Sequence, residues 1–195
     1  MKPNPTREPI SSPAVIGNGK KDGPLQTLLT ECALEALERQ LKNPLRLDAV
    51  DLGGIVTRGV TMLSEMSAEL GVVLRIRVRG ENVPVQGDYE KIRRSINALI
   101  VYLLTLSQSQ ACVTVVVEDR MQNGKRGMSA LLSSNNVVVP WKPELGMEDE
   151  LANSQEVSTC RLLLEKNGGS LSVQLGEGGG PSFLVWLPIK GPRGR

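Results

Sequence analysis

Histidine does not occur once in the 195 residues. That absence removes imidazole bases, histidine metal ligands, catalytic triads and any phosphohistidine step carried by this chain. Cysteine is nearly as sparse: Cys32, Cys112 and Cys160 are odd in number and far apart. They argue against a disulfide framework and a paired metal site, and for reduced core thiols in a cytoplasmic setting. No metal and no cofactor are expected. Aromatics are few, one Phe, two Tyr and two Trp, so the core must be aliphatic and a base-stacking platform lacks its material. Nowhere do about 18 apolar residues run together, and residues 1–22 hold no apolar stretch fit for a signal peptide. A cytoplasmic protein without a membrane span is expected.

The charge is nearly balanced, 23 basic against 21 acidic residues, so no global field draws the chain to nucleic acid or membrane. Residues 1–23, with Pro3, Pro5, Pro9 and Pro13 among Ser, Asn and Gly, read as a flexible tail. Its Gly17-Asn18-Gly19-Lys20 lacks the spacing and the Ser/Thr of a phosphate loop. Residues 191–195 read as a loose basic end.

Between these ends the pattern alternates between helix and strand. Leu25, Leu28, Leu29, Cys32, Ala36, Leu37 and Leu41 have helical spacing over Pro24–Lys42, closed by Asn43-Pro44. Residues 24–47 are therefore a helix and linker. A second helix follows over Leu52–Leu70, stopped by Gly71. In Val72–Arg79, Leu74, Ile76 and Val78 face one way and Arg75, Arg77 and Arg79 the other, as in a strand with one wet face. Gly87-Asp88 opens the most apolar helix, which runs to about Ser107. Cys112–Asp119 and Met128–Val139 read as a hairpin turning at Asn123-Gly124. Trp141–Gln155, with Glu144, Glu148, Asp149 and Glu150, reads as an acidic loop. A short helix over Val157–Lys166 and strands Ser170–Leu175 and Ser182–Leu187 complete the pattern. Helices on one face of a mixed, mainly antiparallel sheet, with an extra N-terminal helix, make an α/β two-layer sandwich.

Val50-Asp51-Leu52, Leu70-Gly71-Val72, Val85-Gln86-Gly87-Asp88, Glu165 through Val173 and Gly180 through Pro188 stand in order and at suitable spacing. Together they resemble the ATP-binding domain of histidine kinases, a relative of the gyrase and Hsp-type ATPases. In turn they resemble the entry to that family's first helix, its exit, the segment before its central helix and its two closing motifs. The likeness covers residues 48–190 and implies the Bergerat-type sandwich.

The residues that grip nucleotide in that family have no counterpart here. The resemblance puts Tyr102 where the family's central helix carries a magnesium-holding Asn, with Asn97 more than a turn away. Ser134, Asn136 and Val138 stand in place of its Asp-x-Gly-x-Gly segment, and Ser154-Gln155-Glu156-Val157 in place of its phosphate-wrapping Gly-x-Gly. Tyr102, Ser134 and Asn136 are thus expected to outline a vestigial groove. The acceptor histidine is missing as well. These departures imply a protein that is not an enzyme, a signalling adaptor that binds a response regulator or kinase in a two-component or phosphorelay-like pathway. Leu28, Leu37, Arg75, Arg77 and Arg79 are the expected contact residues, and residues 24–42 could pair two copies. Two alternatives stand beside this reading. One is a divergent ATP-binding regulator or protein-serine kinase of the anti-sigma type. The other is an anion or nucleic-acid module using the arginine strand.

Overall fold

The computed structural model describes residues 24–137, 151–175 and 180–189, with side chains described from residue 31 onward except at 175. The tail 1–23, the acidic stretch Glu144–Glu150, the basic end 191–195, Val138 and the Leu28 side chain lie outside the described residues.

Helix α1, Pro24–Lys42, precedes the short strand β1, Asp48–Val50. Helix α2, Leu52–Glu69, starts at Asp51, whose carboxylate accepts from the Gly54 N–H at 2.7 Å and so satisfies one of the free donors of the first turn. Gly71, at φ +66°, turns the chain out of α2 in the left-handed region that glycine tolerates. Strand β2, Val73–Val78, and strand β3, Val85–Gly87, lead to helix α3, Tyr89–Leu106. Asp88 caps α3 by accepting from the N–H groups of Glu90 and Lys91. Strands β4, Cys112–Gln122, and β5, Lys125–Ser134, form the hairpin expected at Asn123-Gly124, and both turn residues have positive φ as a tight hairpin requires. The chain closes with helix α4, Gln155–Lys166, strand β6, Ser170–Leu175, and strand β7, Pro181–Pro188.

Five strands form one sheet in the order β2-β4-β5-β7-β6, parallel between β2 and β4 and antiparallel elsewhere. The strands β1 and β3 make a separate antiparallel pair. Helices α2 and α3 pack on the sheet, and α4 packs beside α3 and on β6. The core between them is aliphatic: Ile92, Ile96, Leu99 and Leu103 of α3 meet Val113, Val115 and Val117 of β4 and Leu132 of β5, all fully buried. This is the expected α/β sandwich.

Several boundaries differ from the sequence reading. The hairpin strand β4 runs on to Gln122 and β5 starts at Lys125, because their cross-strand ladder runs right up to the turn, and β5 ends at Ser134. The three-residue strands β1 and β3 were missed because so short a pair has no readable alternation.

Helix α1 packs on α3 and α4. Leu37 is fully buried, with Ala33 and Leu41 packed against the same core. Leu37 was expected at a partner-facing surface and lies instead inside its own domain, because the apolar stripe of α1 is needed to cover the outer seam of α3 and α4. Lys91 holds the end of that helix. It is 1% exposed, and its ammonium donates to the Gln40 carbonyl, a free acceptor of α1's last turn, and, at 3.0 Å, to the Asn43 carbonyl just beyond it.

Candidate functional site

The end of α3 and the end of β5 are clasped together. Ser107, which terminates α3, shares a 2.8 Å hydrogen bond with the buried Ser134 hydroxyl. Beyond it Ser107 bridges to Val137, and the Gln108 N–H donates to the Asn136 carbonyl at 3.1 Å. Gly180 sits so close behind that a Cβ there would meet the Ser134 carbonyl at 2.6 Å. The Ser134 hydroxyl is therefore engaged by the protein itself, whereas Asn136 is exposed and contributes its backbone to the clasp.

Tyr102 lies on the same half of α3. It is half-buried, with its ring centroid 6.0 Å from that of Phe183 on β7 and the planes tilted by 52°. Phe183 pairs with Leu132 of β5, which places Tyr102 and Ser134 at one end of the sheet. Asn97 faces elsewhere. It lines a cleft of about 310 Å³ with Cys32 and Ala36 of α1 and Met62 of α2, and its Oδ1 is buried over Gly59 without a partner among the described residues. It thus lies toward α2, away from Tyr102's neighbours. The start of α4, which was expected to complete the vestigial groove, is capped by Ser154, whose hydroxyl accepts from the Val157 N–H at 3.3 Å. Glu156 occupies the first turn, and the Gln155 amide donates to the Glu38 carboxylate of α1 at 3.0 Å. Helix α1 thereby reaches the very N-terminus at which an anion would be held.

Cys160 of α4 is buried, and that burial raises its pKa, helped by the charge of Glu156 and opposed by a hydrogen bond with the Ser95 side chain. It is a protonated core thiol rather than a nucleophile. Among the described residues no group of three Cys, Asp or Glu is arranged to hold a metal ion, and no helix is long and apolar enough to cross a membrane.

The arginine row lies on a different part of the molecule. Strand β2 is the edge of the sheet, and its register with β4 sets Arg75 beside Thr114, Arg77 beside Val116 and Arg79 near Glu118. All three arginines are exposed on the face opposite the helices. Arg79 pairs with Glu118 at 3.5 Å, and Arg75 and Arg77 have no ion pair among the described residues.

The structure thus separates the expected site residues: Tyr102 and Ser134 stand together, Leu37 is core, and the arginines form an edge. Sequence reasoning missed Lys91 and the part played by Asn167. The Asn167 side chain accepts from the Asp88 N–H at 2.5 Å and donates to the Leu163 carbonyl at 2.7 Å, so it ties the start of α3 to the end of α4.

Comparison with known proteins gives a consistent result. No family model matches the chain. The sensor histidine kinase ZraS of Salmonella typhi is 22% identical over 166 residues, which is 83% of this chain and 35% of that protein, and ZraS of Salmonella typhimurium matches equally. The chain spans about a third of the length of these curated relatives. Among solved structures it superposes on the nucleotide-free catalytic domain of histidine kinase ThkA with a TM-score of 0.62 at 13% identity, covering 75% of this chain and 97% of that one. The cytoplasmic segment of histidine kinase QseC gives 0.61 at 12% identity, covering 85% and 95%. The histidine kinase AdeS of Acinetobacter baumannii gives 0.60 at 14%, covering 84% and 77%. The fold is that of histidine kinase catalytic domains. The expectation that the chain is not an enzyme is corrected by these matches, because the domains whose fold it shares are catalytic.

Proposed function

We propose that this chain, built on the histidine kinase catalytic-domain fold, works in a two-component or phosphorelay-like pathway in the cytoplasm by docking a protein partner, a response regulator or a kinase, on the arginine face of β2. The observation that carries the reading is the pair Arg75 and Arg77, exposed, two residues apart on a strand edge and without an ion pair among the described residues. An unpaired surface arginine has its charge available to a carboxylate of a partner, where it steers encounter and fixes orientation. The stripe of α1 sets Ala33, Leu37 and Leu41 against the chain's own core, which leaves the charged edge as the better candidate.

Full-length protein should capture its partner from native extract, and the capture should weaken steeply between low and moderate salt. The double variant Arg75→Glu/Arg77→Glu should lose that capture while keeping its circular dichroism spectrum. Retention of the partner by the folded double variant would sink the reading.

A second reading, an ATP-binding regulator, is favoured by the likeness to catalytic domains. It locates function in the groove between α3, β5 and α4. Calorimetric titration with magnesium ATP decides it: binding that disappears in Tyr102→Ala but persists in the arginine variant places the working site in the groove.

A further inference from the structure

Strand β2 offers more than charge. The Val73 N–H donates to the Ala111 carbonyl and the Arg79 N–H to the Val117 carbonyl, each at 2.8 Å, so alternation along the parallel ladder turns the N–H and C=O groups of Leu74, Ile76 and Val78 outward. Among the described residues nothing pairs with them. The side chains of Leu74 and Ile76 are packed against the core, so their backbones are held in extended form at this edge. At either end of the strand Val73 and Val78 are each 47% exposed. The edge therefore presents outward amides, two apolar flanks and a row of arginines repeating every second residue, about 7 Å apart along a strand.

We propose that an extended, acidic segment of a partner protein adds to the sheet as a sixth strand beside β2, its main chain bonded to Leu74, Ile76 and Val78 and its alternate carboxylates lying against Arg75, Arg77 and Arg79. This rests on the reading that the arginine face docks a protein, and it specifies how. Strand addition draws affinity from main-chain hydrogen bonds and selectivity from alternate side chains. The two-residue pitch of the arginines matches the pitch of carboxylates on one face of an added strand. Opposite charges directly across a strand pair are favourable, and like charges are not. A second copy of this edge is a poor occupant for that reason, since arginine would stand against arginine. A nucleic acid could meet the charges but would leave the outward amides and carbonyls without partners of alternating donor and acceptor character.

The test uses the full chain and two synthetic peptides of one composition, with three glutamates among valine and threonine. In one peptide glutamate occupies every second position, and in the other the glutamates are contiguous. Strand addition predicts that the alternating peptide binds at least fivefold more tightly, and that the amides of Leu74, Ile76 and Val78 gain protection from hydrogen exchange when it does. Val78→Pro removes one outward donor at the end of the strand and leaves the ladder to β4 intact. It should weaken the alternating peptide at least fivefold and leave the contiguous one unchanged. An amide spectrum of the variant confirms its fold, and the exchange measurement on unmodified protein decides the matter if the variant does not fold. Equal affinity for both peptides, with no protection at β2, overturns strand addition while charge docking stands. If neither peptide binds and charge reversal leaves partner capture unchanged, the docking reading fails with it. Tighter binding of a thymidine oligonucleotide than of either peptide overturns the proposal in favour of nucleic acid.

Discussion

The ring of Tyr102 leans on Phe183 across the seam between α3 and β7, 6.0 Å from centroid to centroid. Phe183 is fully buried, and the tilted arrangement is one that aromatic pairs favour. This half-buried ring joins α3 to the sheet. Tyr102→Ala should therefore lower the unfolding free energy by about 2–3 kcal/mol, less than a fully buried aromatic because Tyr102 is half-exposed. Urea unfolding of the variant checks it, and a change within about 0.5 kcal/mol would show that the ring does not hold the seam.

Asn167 should be a stability determinant out of proportion to its size. It is 4% exposed and bridges the Asp88 N–H and the Leu163 carbonyl, while Asp88 in turn caps α3 and accepts from the Arg46 N–H at 2.9 Å. Asn167→Ala leaves a buried donor and a buried acceptor without partners and should cost about 2–4 kcal/mol. Hydrogen exchange should show the first turn of α3 and the last turn of α4 loosening together.

On α1 the contrast between two positions is diagnostic. Leu37 is fully buried and Cys32 is exposed on the same helix. Leu37→Glu puts a carboxylate into an aliphatic core and should cost more than about 4 kcal/mol, whereas Cys32→Glu should stay within about 0.5 kcal/mol. Circular dichroism during thermal melting separates them. A folded, equally stable Leu37→Glu protein would mean that the stripe of α1 faces a partner after all.

The sequence carried most of the architecture because the signals for it are local. Asp51 and Asp88 announce helix starts by their own hydrogen-bonding chemistry, Asn123-Gly124 can hardly be other than a hairpin turn, and the alternation from Leu74 to Arg79 identifies a strand with one wet face. The destinations of those surfaces are not local. Helical spacing at Leu37 and Leu41 states that a stripe must be covered, and only the packing of α3 against α4 reveals that the chain covers it itself. The arginine alternation likewise cannot say whether β2 is central or at an edge, which depends on a parallel pairing with β4 thirty-odd residues on. Tyr102 and Ser134 were singled out through the family resemblance, but the Ser107–Ser134 clasp was not, since neither hydroxyl carries a signal of its partner. A buried lysine such as Lys91 has no sequence signature at all; its meaning comes from two carbonyls at the end of a helix far back in the chain.

The buried thiol of Cys160 gives the fold a dependence on pH. Burial raises its pKa above the ordinary thiol range, the Glu156 charge adds to the rise, and a hydrogen bond with the Ser95 side chain opposes it. Once the pH passes the ordinary thiol pKa, near 8.5, the unfolded chain releases this proton while the folded protein retains it. The folded state then binds more protons than the unfolded one, so stability falls as pH rises, by at most about 1.4 kcal/mol per unit for one group. Below that pH both states are protonated and the effect vanishes. Other groups titrate in the same range, but they do so equally in Cys160→Ala, which also leaves a small cavity and so lowers stability at every pH. The difference between the two proteins should therefore narrow by about 1 kcal/mol between pH 8.5 and 9.5, measured by urea unfolding in the presence of reductant. Parallel curves for the two proteins across that interval would show that Cys160 ionises as readily in the fold as out of it, and that the seam between α3 and α4 admits water.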